Sequence, residues 1–185
     1  MFQRDVKRRY AARARRLTWQ CGEACMPPRT STFDRPIRMT PSNLTTRDAQ
    51  IADHADIAQL MHQLGYDAPP AMIRDKLATL LPSAVDRILV ATVAHSVVGC
   101  ISLHALALFH AHGNLGRITS LVVDERSRGQ GVGGALIAAA HSWFASVGCV
   151  KLEVTSGDHR LDARRFYARY GFTRDGQRLS KRVRP

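Results

Sequence analysis

The residues best suited to chemistry lie in Leu121-Val-Val-Asp-Glu-Arg-Ser-Arg-Gly-Gln-Gly-Val-Gly-Gly-Ala-Leu136. Arg128, Gly129, Gln130, Gly131, Val132, Gly133 and Gly134 form a glycine-rich turn between an apolar strand and an alanine-rich helix. Glycines let backbone N–H groups come close to a ligand, and the helix that starts there adds unpaired amide donors and the positive end of its dipole. Arg126 and Arg128 add formal charge, so the turn is suited to holding phosphate. Other groupings carry less. His110-x-His112 offers two imidazoles in a polar loop, where such pairs are ordinarily solvated. Cys21-x-x-x-Cys25 has no second Cys/His pair at metal spacing nearby, so no metal is expected.

These groups need a scaffold, and composition bounds its size. The chain has 185 residues, 45% of them apolar, enough for one substantial core but not for two full domains. Of the net charge of +12, residues 1–38 carry +7, from ten Lys/Arg against three acids, which leaves +5 for the body. Residues 1–43 therefore read as a basic, disordered extension with too little apolar surface to fold alone, and residues 44–185 as the domain proper. The mildly basic body suits a polyanionic cofactor as well as it suits nucleic acid, and a nucleic-acid partner is expected only through residues 1–38. No apolar run reaches the roughly 18 residues of a membrane span, and the N-terminus lacks the apolar core of a secretory signal. Cys100 and Cys149 sit in apolar strand-like segments as ordinary buried thiols, so the expected compartment is the reducing cytoplasm.

Periodicity supplies the elements. Leu44–Ala49 reads as a strand, and Asp53 resembles an N-cap for a helix over Ala55–Leu64 that Gly65 stops. Pro69-Pro70 opens a second helix, with Ile73, Leu77, Leu80 and Leu81 at helical spacing. Arg87–Val93 and Val97–Leu103 read as a hairpin whose turn, Ala94-His-Ser96, has no glycine and so no obvious type. Gly116–Val123 is a fourth strand, Gly131–Phe144 the helix behind the turn, and Val150–Thr155 a fifth strand. A helix over Leu161–Tyr170 and a last strand within Phe172–Val183 complete the order β-α-α-β-β-β-α-β-α-β, an α/β arrangement with a mixed sheet.

Three phosphate sites compete for the turn. A triphosphate P-loop needs Gly-Lys-Ser/Thr, and Gly133-Gly-Ala135 stands there instead. Gly129-x-Gly131-x-x-Gly134, with Glu153 downstream, fits a dinucleotide fingerprint by spacing. Against it, antiparallel strands precede the turn and the charged stretch Asp124–Arg128 separates it from its strand. The third site rests on a resemblance. Arg128-Gly-Gln-Gly131-Val-Gly133 matches the Arg/Gln-x-x-Gly-x-Gly/Ala signature of the GNAT superfamily of acetyl-CoA-dependent N-acetyltransferases. Asp162-Ala-Arg-Arg-Phe-Tyr-Ala-Arg-Tyr-Gly-Phe172 is similar to its downstream Ala-x-x-Phe-Tyr-x-x-x-Gly-Phe motif, and the likeness covers about Leu44 to Val183.

The resemblance implies a GNAT-like, largely antiparallel sheet flanked by helices, with acetyl-CoA as co-substrate and no metal. It implies that backbone N–H groups from Arg128 to Gly134 surround the pyrophosphate and that Leu121, Val122 and Val123 pair with the pantetheine arm. One of those strand amides would polarise the acetyl carbonyl, and Tyr167 would be the general acid near the sulfur. Arg160, Arg164 and Arg165 would face either the cofactor's phosphates or solvent. Some members have a glutamate base on the fourth strand, but here that strand offers Arg117, Thr119 and Ser120. Water held by backbone carbonyls or Ser120, or a histidine of the His110 pair, is left for that task. The acceptor would be a small-molecule or peptide amine, and the lack of acid-rich segments argues against polyamines and aminoglycosides. The alternatives are a longer acyl-CoA donor and a non-catalytic nucleic-acid-binding role through residues 1–38, and the resemblance also implies a homodimer paired through sheet edges or final strands.

Overall fold

The computed structural model describes residues 43–157, 160–176, 179–181 and 183. The basic run and Cys21-x-x-x-Cys25 of the leader lie outside the described residues. Five strands form one sheet in the order β1 (Leu44–Asp48), β2 (Asp86–Val93), β3 (Ser96–Ala107), β4 (Asn114–Val123) and β5 (Cys149–Val154). Every neighbouring pair is antiparallel except β4 and β5, which are parallel and joined by a crossover helix, as parallel neighbours require. Helices α1 (His54–Leu64) and α2 (Pro70–Leu80) precede the hairpin, α3 (Val132–Ser146) follows the glycine turn, and α4 (Leu161–Arg169) follows β5.

The run Ile88-Leu-Val-Ala91 is wholly buried because both faces of the sheet are covered. On one face Leu89, Ile101, Leu103 and Ile118 pack with Val132, Leu136, Ala140 and Phe144 of α3. On the other, Ile88, Val90, Cys100 and Val122 pack with Ile57, Leu60, Met61 and Leu77 of α1 and α2. Burial pushes the Cys100 thiol up to about 12, and the negative charge of Asp53 adds to the rise, so Cys100 is an inert packing residue.

Three local readings change. Asp53 precedes α1, but its side chain makes no cap bond. Its carboxylate instead takes two bonds from the Arg47 guanidinium, at 2.7 and 2.8 Å, and one from the Gln50 N–H at 2.7 Å. A charged neighbour within reach outcompetes a neutral helix amide. The hairpin turn has only two residues, Ala94 (φ 47°) and His95 (φ 70°), between the paired Val93 and Ser96. Two positive φ values are what a type I′ turn demands, which explains why the non-glycine sequence concealed it. Finally, the strand expected within Phe172–Val183 does not form among the described residues. Asp175 instead holds Lys151 of β5 by an ion pair at 2.7 Å.

Candidate active site

The glycine turn is prepared by the segment before it. Glu125–Ser127 make one 3-10 turn, started by Asp124, whose carboxylate accepts from Arg126 N–H at 3.2 Å. Gln63 of α1 fixes this turn from the side, donating to Asp124 Oδ1 at 2.9 Å and accepting from Glu125 N–H at 3.1 Å. Arg128 folds back to donate to Val123 O at 3.3 Å and lies 3.4 Å from Glu125. Gly129 (φ 81°) and Gly131 (φ 85°) take the left-handed conformation that a Cβ would strain. The Ala135 N–H bonds to Gly131 O, so the amides of Val132, Gly133 and Gly134 are those that a helix leaves without intrahelical acceptors.

Gly133 and Gly134 also meet a packing demand. A Cβ on Gly133 would lie 3.0 Å from Phe166 Cε2 and Cζ, and one on Gly134 would collide with Tyr170 Oη. The second aromatic motif therefore seats against the helix that the first motif opens, and the two are one structural unit.

The strand ahead of the turn has an open edge. Pairing of β4 with β5 ends at Ile118 opposite Val154, whereas β4 continues to Val123. Leu121, Val122 and Val123 pair with Ile101, Cys100 and Gly99 of β3 on one side and have no strand on the other among the described residues. Such an edge offers main-chain donors and acceptors to an extended ligand. Where β5 departs, β4 carries a bulge: Ser102 faces Ser120 and Leu103 faces Ile118, leaving Thr119 as the extra residue.

An open cleft of about 1780 Å³ surrounds β5. Ile118, Ile137, Ala140, Val154 and Tyr167 line one side of it and Arg117, Glu153 and Thr155 another, and the lining stops short of the glycine turn. Tyr167 packs edge-on against Phe166 and Phe172, with ring centroids 5.2 and 5.5 Å apart. Burial pushes its phenol up to about 12, a rise that the charge of Arg160 opposes. Arg160 donates to Leu64 O at 2.7 Å, tying the start of α4 to the end of α1. Arg165 pairs with Asp162 at 2.9 Å on the surface, and Arg164 lines the cleft.

On the face of the sheet that carries α1 and α2 there is a polar row that inspection of the sequence did not disclose. Asp86, His104, Arg117 and Glu153 are consecutive register partners across β2, β3, β4 and β5, so they share one face. His104 Nδ1 lies 2.6 Å from Asp86 Oδ1, and His104 Nε2 lies 2.9 Å from Thr119 Oγ1 and 3.2 Å from Ser102 Oγ. Ser83 donates to Asp86 at 2.7 Å; that bond and the one to His104 hold the Asp86 carboxyl below the usual carboxylate range, against the opposing effect of burial. Arg117 binds Glu153 at 3.0 Å and Thr155 Oγ1 at 2.6 Å, and Glu153 also takes Lys151 at 3.2 Å. His110 and His112, the histidines expected near the acceptor, stand exposed in the loop that leads into β4. That loop is about 30 Å of strand away from the glycine turn. Among the described residues, no group of three His, Cys, Asp or Glu is arranged for a metal ion, and no helix is long and apolar enough to cross a membrane.

Known proteins share this arrangement. Residues 56–172 match the model for the acetyltransferase (GNAT) family. The aminoalkylphosphonate N-acetyltransferase of Salmonella typhimurium is 33% identical over 138 residues, covering 74% of this chain and 86% of that protein. Glucosamine-6-phosphate N-acetyltransferase from Arabidopsis thaliana superposes with a TM-score of 0.67 at 20% identity, over 76% of this chain and 99% of that one. An aminoglycoside N-acetyltransferase solved in complex with CoA superposes with a TM-score of 0.68 at 16% identity, over 77% and 95% of the two chains. At these identities the two structures testify to the fold.

Proposed function

The chain belongs to the acetyltransferase (GNAT) family and is an N-acetyltransferase, and on that premise we propose that it moves acetyl from acetyl-CoA to the primary amine of a small molecule by direct attack within a ternary complex. One observation carries this reading: the open edge of Leu121–Val123 runs straight into a turn whose left-handed glycines lead to the amide-rich start of α3. The edge suits the amide-bearing pantetheine arm, and the amides from Arg128 to Gly134 suit the pyrophosphate. A strand N–H polarises the acetyl carbonyl, where negative charge develops as the amine attacks. Tyr167, held protonated by burial, donates a hydrogen bond to the sulfur as it leaves.

The acceptor we favour is a small amine that also carries an anionic group. The Salmonella relative is named for aminoalkylphosphonates, and the cleft around β5 is lined by Arg117, Lys151, Arg164, Arg165 and Arg174 against Glu153 and Asp175, a basic excess that suits an anion better than a polycation. Free-CoA release measured with aminoalkylphosphonates, amino acids, aminoglycosides and peptide N-termini tests this. Turnover is expected first among the aminoalkylphosphonates; release confined to polycationic amines contradicts the acceptor class, and no release with any amine contradicts transfer.

A further inference from the structure

We propose that His104, anchored by Asp86, takes the proton that the acceptor amine must lose, and that the hydroxyl of Thr119 passes it on. This inference rests on the transfer reading given above and adds to it the base that β4 itself lacks.

Three observations converge. The first is the hydrogen-bond chain itself. In the neutral ring the carboxylate 2.6 Å from Nδ1 of His104 places the ring hydrogen there, which leaves the Nε2 lone pair to accept from Thr119 Oγ1, 2.9 Å away, in preference to Ser102 Oγ at 3.2 Å. The second is position. Thr119 is the bulge residue at the point where β5 leaves β4, where the open edge begins. Its side chain is exposed, while His104 and Asp86 are only 22% and 20% exposed, so one end of the chain is wet and the other is held. The third is the opposed placement of Tyr167. Tyr167 packs with the core on the α3 face, and His104 lies on the α1 and α2 face. A thioester seated between β4 and β5 then meets a donor for its sulfur on one face and an acceptor for the amine's proton on the other.

The remaining candidates are otherwise engaged. Glu153 is held by Arg117 and Lys151, and His110 and His112 belong to the loop at the far end of β4. The charged groups around His104 are Asp86 on β2, Arg117 in register on β4 and Glu153 beyond it on β5, and Ser83 reaches Asp86 from the loop after α2.

The proton balance closes. The ammonium form of the amine gives one proton to Thr119 Oγ1 as that hydroxyl gives its own to His104 Nε2. The freed nitrogen pair attacks the acetyl carbon, the C–N bond forms and the C–S bond breaks. The second surplus proton of the nitrogen ends on the sulfur, leaving an amide, the CoA thiol and an imidazolium that discharges to water.

The test compares wild type, His104→Gln and the exposed, fold-neutral Thr119→Val. The acceptor is 2-aminoethylphosphonate or, where it releases no CoA, the fastest amine of the screen. At pH 7 both variants should lose about 100-fold or more in kcat/KM, the range of general acid–base catalysis. The rise in melting temperature with acetyl-CoA should stay at the wild-type value. Between pH 7 and 9 the deficit of His104→Gln should shrink about tenfold per unit, because the variant depends on amine that water has already deprotonated. A loss that does not vary with pH, or wild-type rates in both variants, overturns the proposal. A wild type that binds acetyl-CoA but releases CoA with no amine overturns the transfer reading, and this inference falls with it.

Discussion

Replacing Tyr167 by Phe removes one hydroxyl and keeps the ring in its contacts with Phe166 and Phe172. Burial holds the phenol at about 12. An alkyl thiol titrates near ~8.5, so complete transfer of the phenolic proton to the leaving thiolate is uphill by about 3.5 units, or about 5 kcal/mol. A hydrogen bond to the departing charge is what this residue can supply, and a bond of that kind contributes about 1.5–3 kcal/mol. Loss of the hydroxyl should therefore lower kcat about 10- to 150-fold, with the thermal shift given by acetyl-CoA unchanged. The pH profile provides an independent check. The donor form is lost only as pH rises through the raised value, so kcat of the wild type should show no falling limb assignable to Tyr167 up to pH ~10. A loss of about 10⁴-fold or more would mean that full proton transfer carries the step. A falling limb near pH ~9 that disappears in the Phe variant would refute the reasoning from burial, and an undiminished kcat would remove Tyr167 from the mechanism.

Asp53 is 7% exposed and neutralises Arg47, so Asp53→Asn should cost about 2–4 kcal/mol in urea unfolding, somewhat under the ~3–5 kcal/mol of a fully buried pair because Arg47 is 36% exposed. Its carboxyl is held low mainly by the Arg47 bond. The stability it adds is complete above the unfolded value near ~3.9 and is lost as pH falls through the lower folded value, so the variant should lose less stability than wild type on acidification below pH ~4. His95 holds a positive φ in the β2–β3 turn, and His95→Gly should stabilise the fold by about 0.5–1 kcal/mol and raise the melting temperature by about 1–4 °C. Calorimetry that gives a lower melting temperature would show that the His95 side chain makes a compensating contact.

Much of the scaffold was legible because single residues announce it. Gly65, Gly148 and Gly171 all take positive φ where a helix was expected to stop, and the glycine turn stands between a strand and a helix as its spacing implied. What stayed hidden depends on partners distant in sequence. Asp86, His104 and Thr119 become neighbours only through strand register, at separations of 18 and 15 residues, and through the bulge that turns Thr119 toward His104. The histidine stands on β3, so neither the residues of the fourth strand nor those of its loop announce it. The role of Gly133 and Gly134 under Phe166 and Tyr170 was hidden for a related reason: the proposed phosphate-holding turn accounts for their spacing on its own, and the second demand appears only once α4 is seated on α3. Asp53 shows the reverse case, a residue of cap type diverted by a guanidinium six residues upstream.

The central claim is that the turn from Arg128 to Gly134 holds the CoA of acetyl-CoA. Calorimetric melting of wild type and Gly131→Glu, each with and without acetyl-CoA, tests it most directly, because this substitution places bulk and negative charge at the proposed pyrophosphate position, where φ is 85°. With ligand at a hundred times its Kd, wild type should gain about 2.7 kcal/mol, which raises its melting temperature by about 5–10 °C, and the variant should gain nothing. Equal shifts in both proteins, or no shift in wild type, would contradict the account.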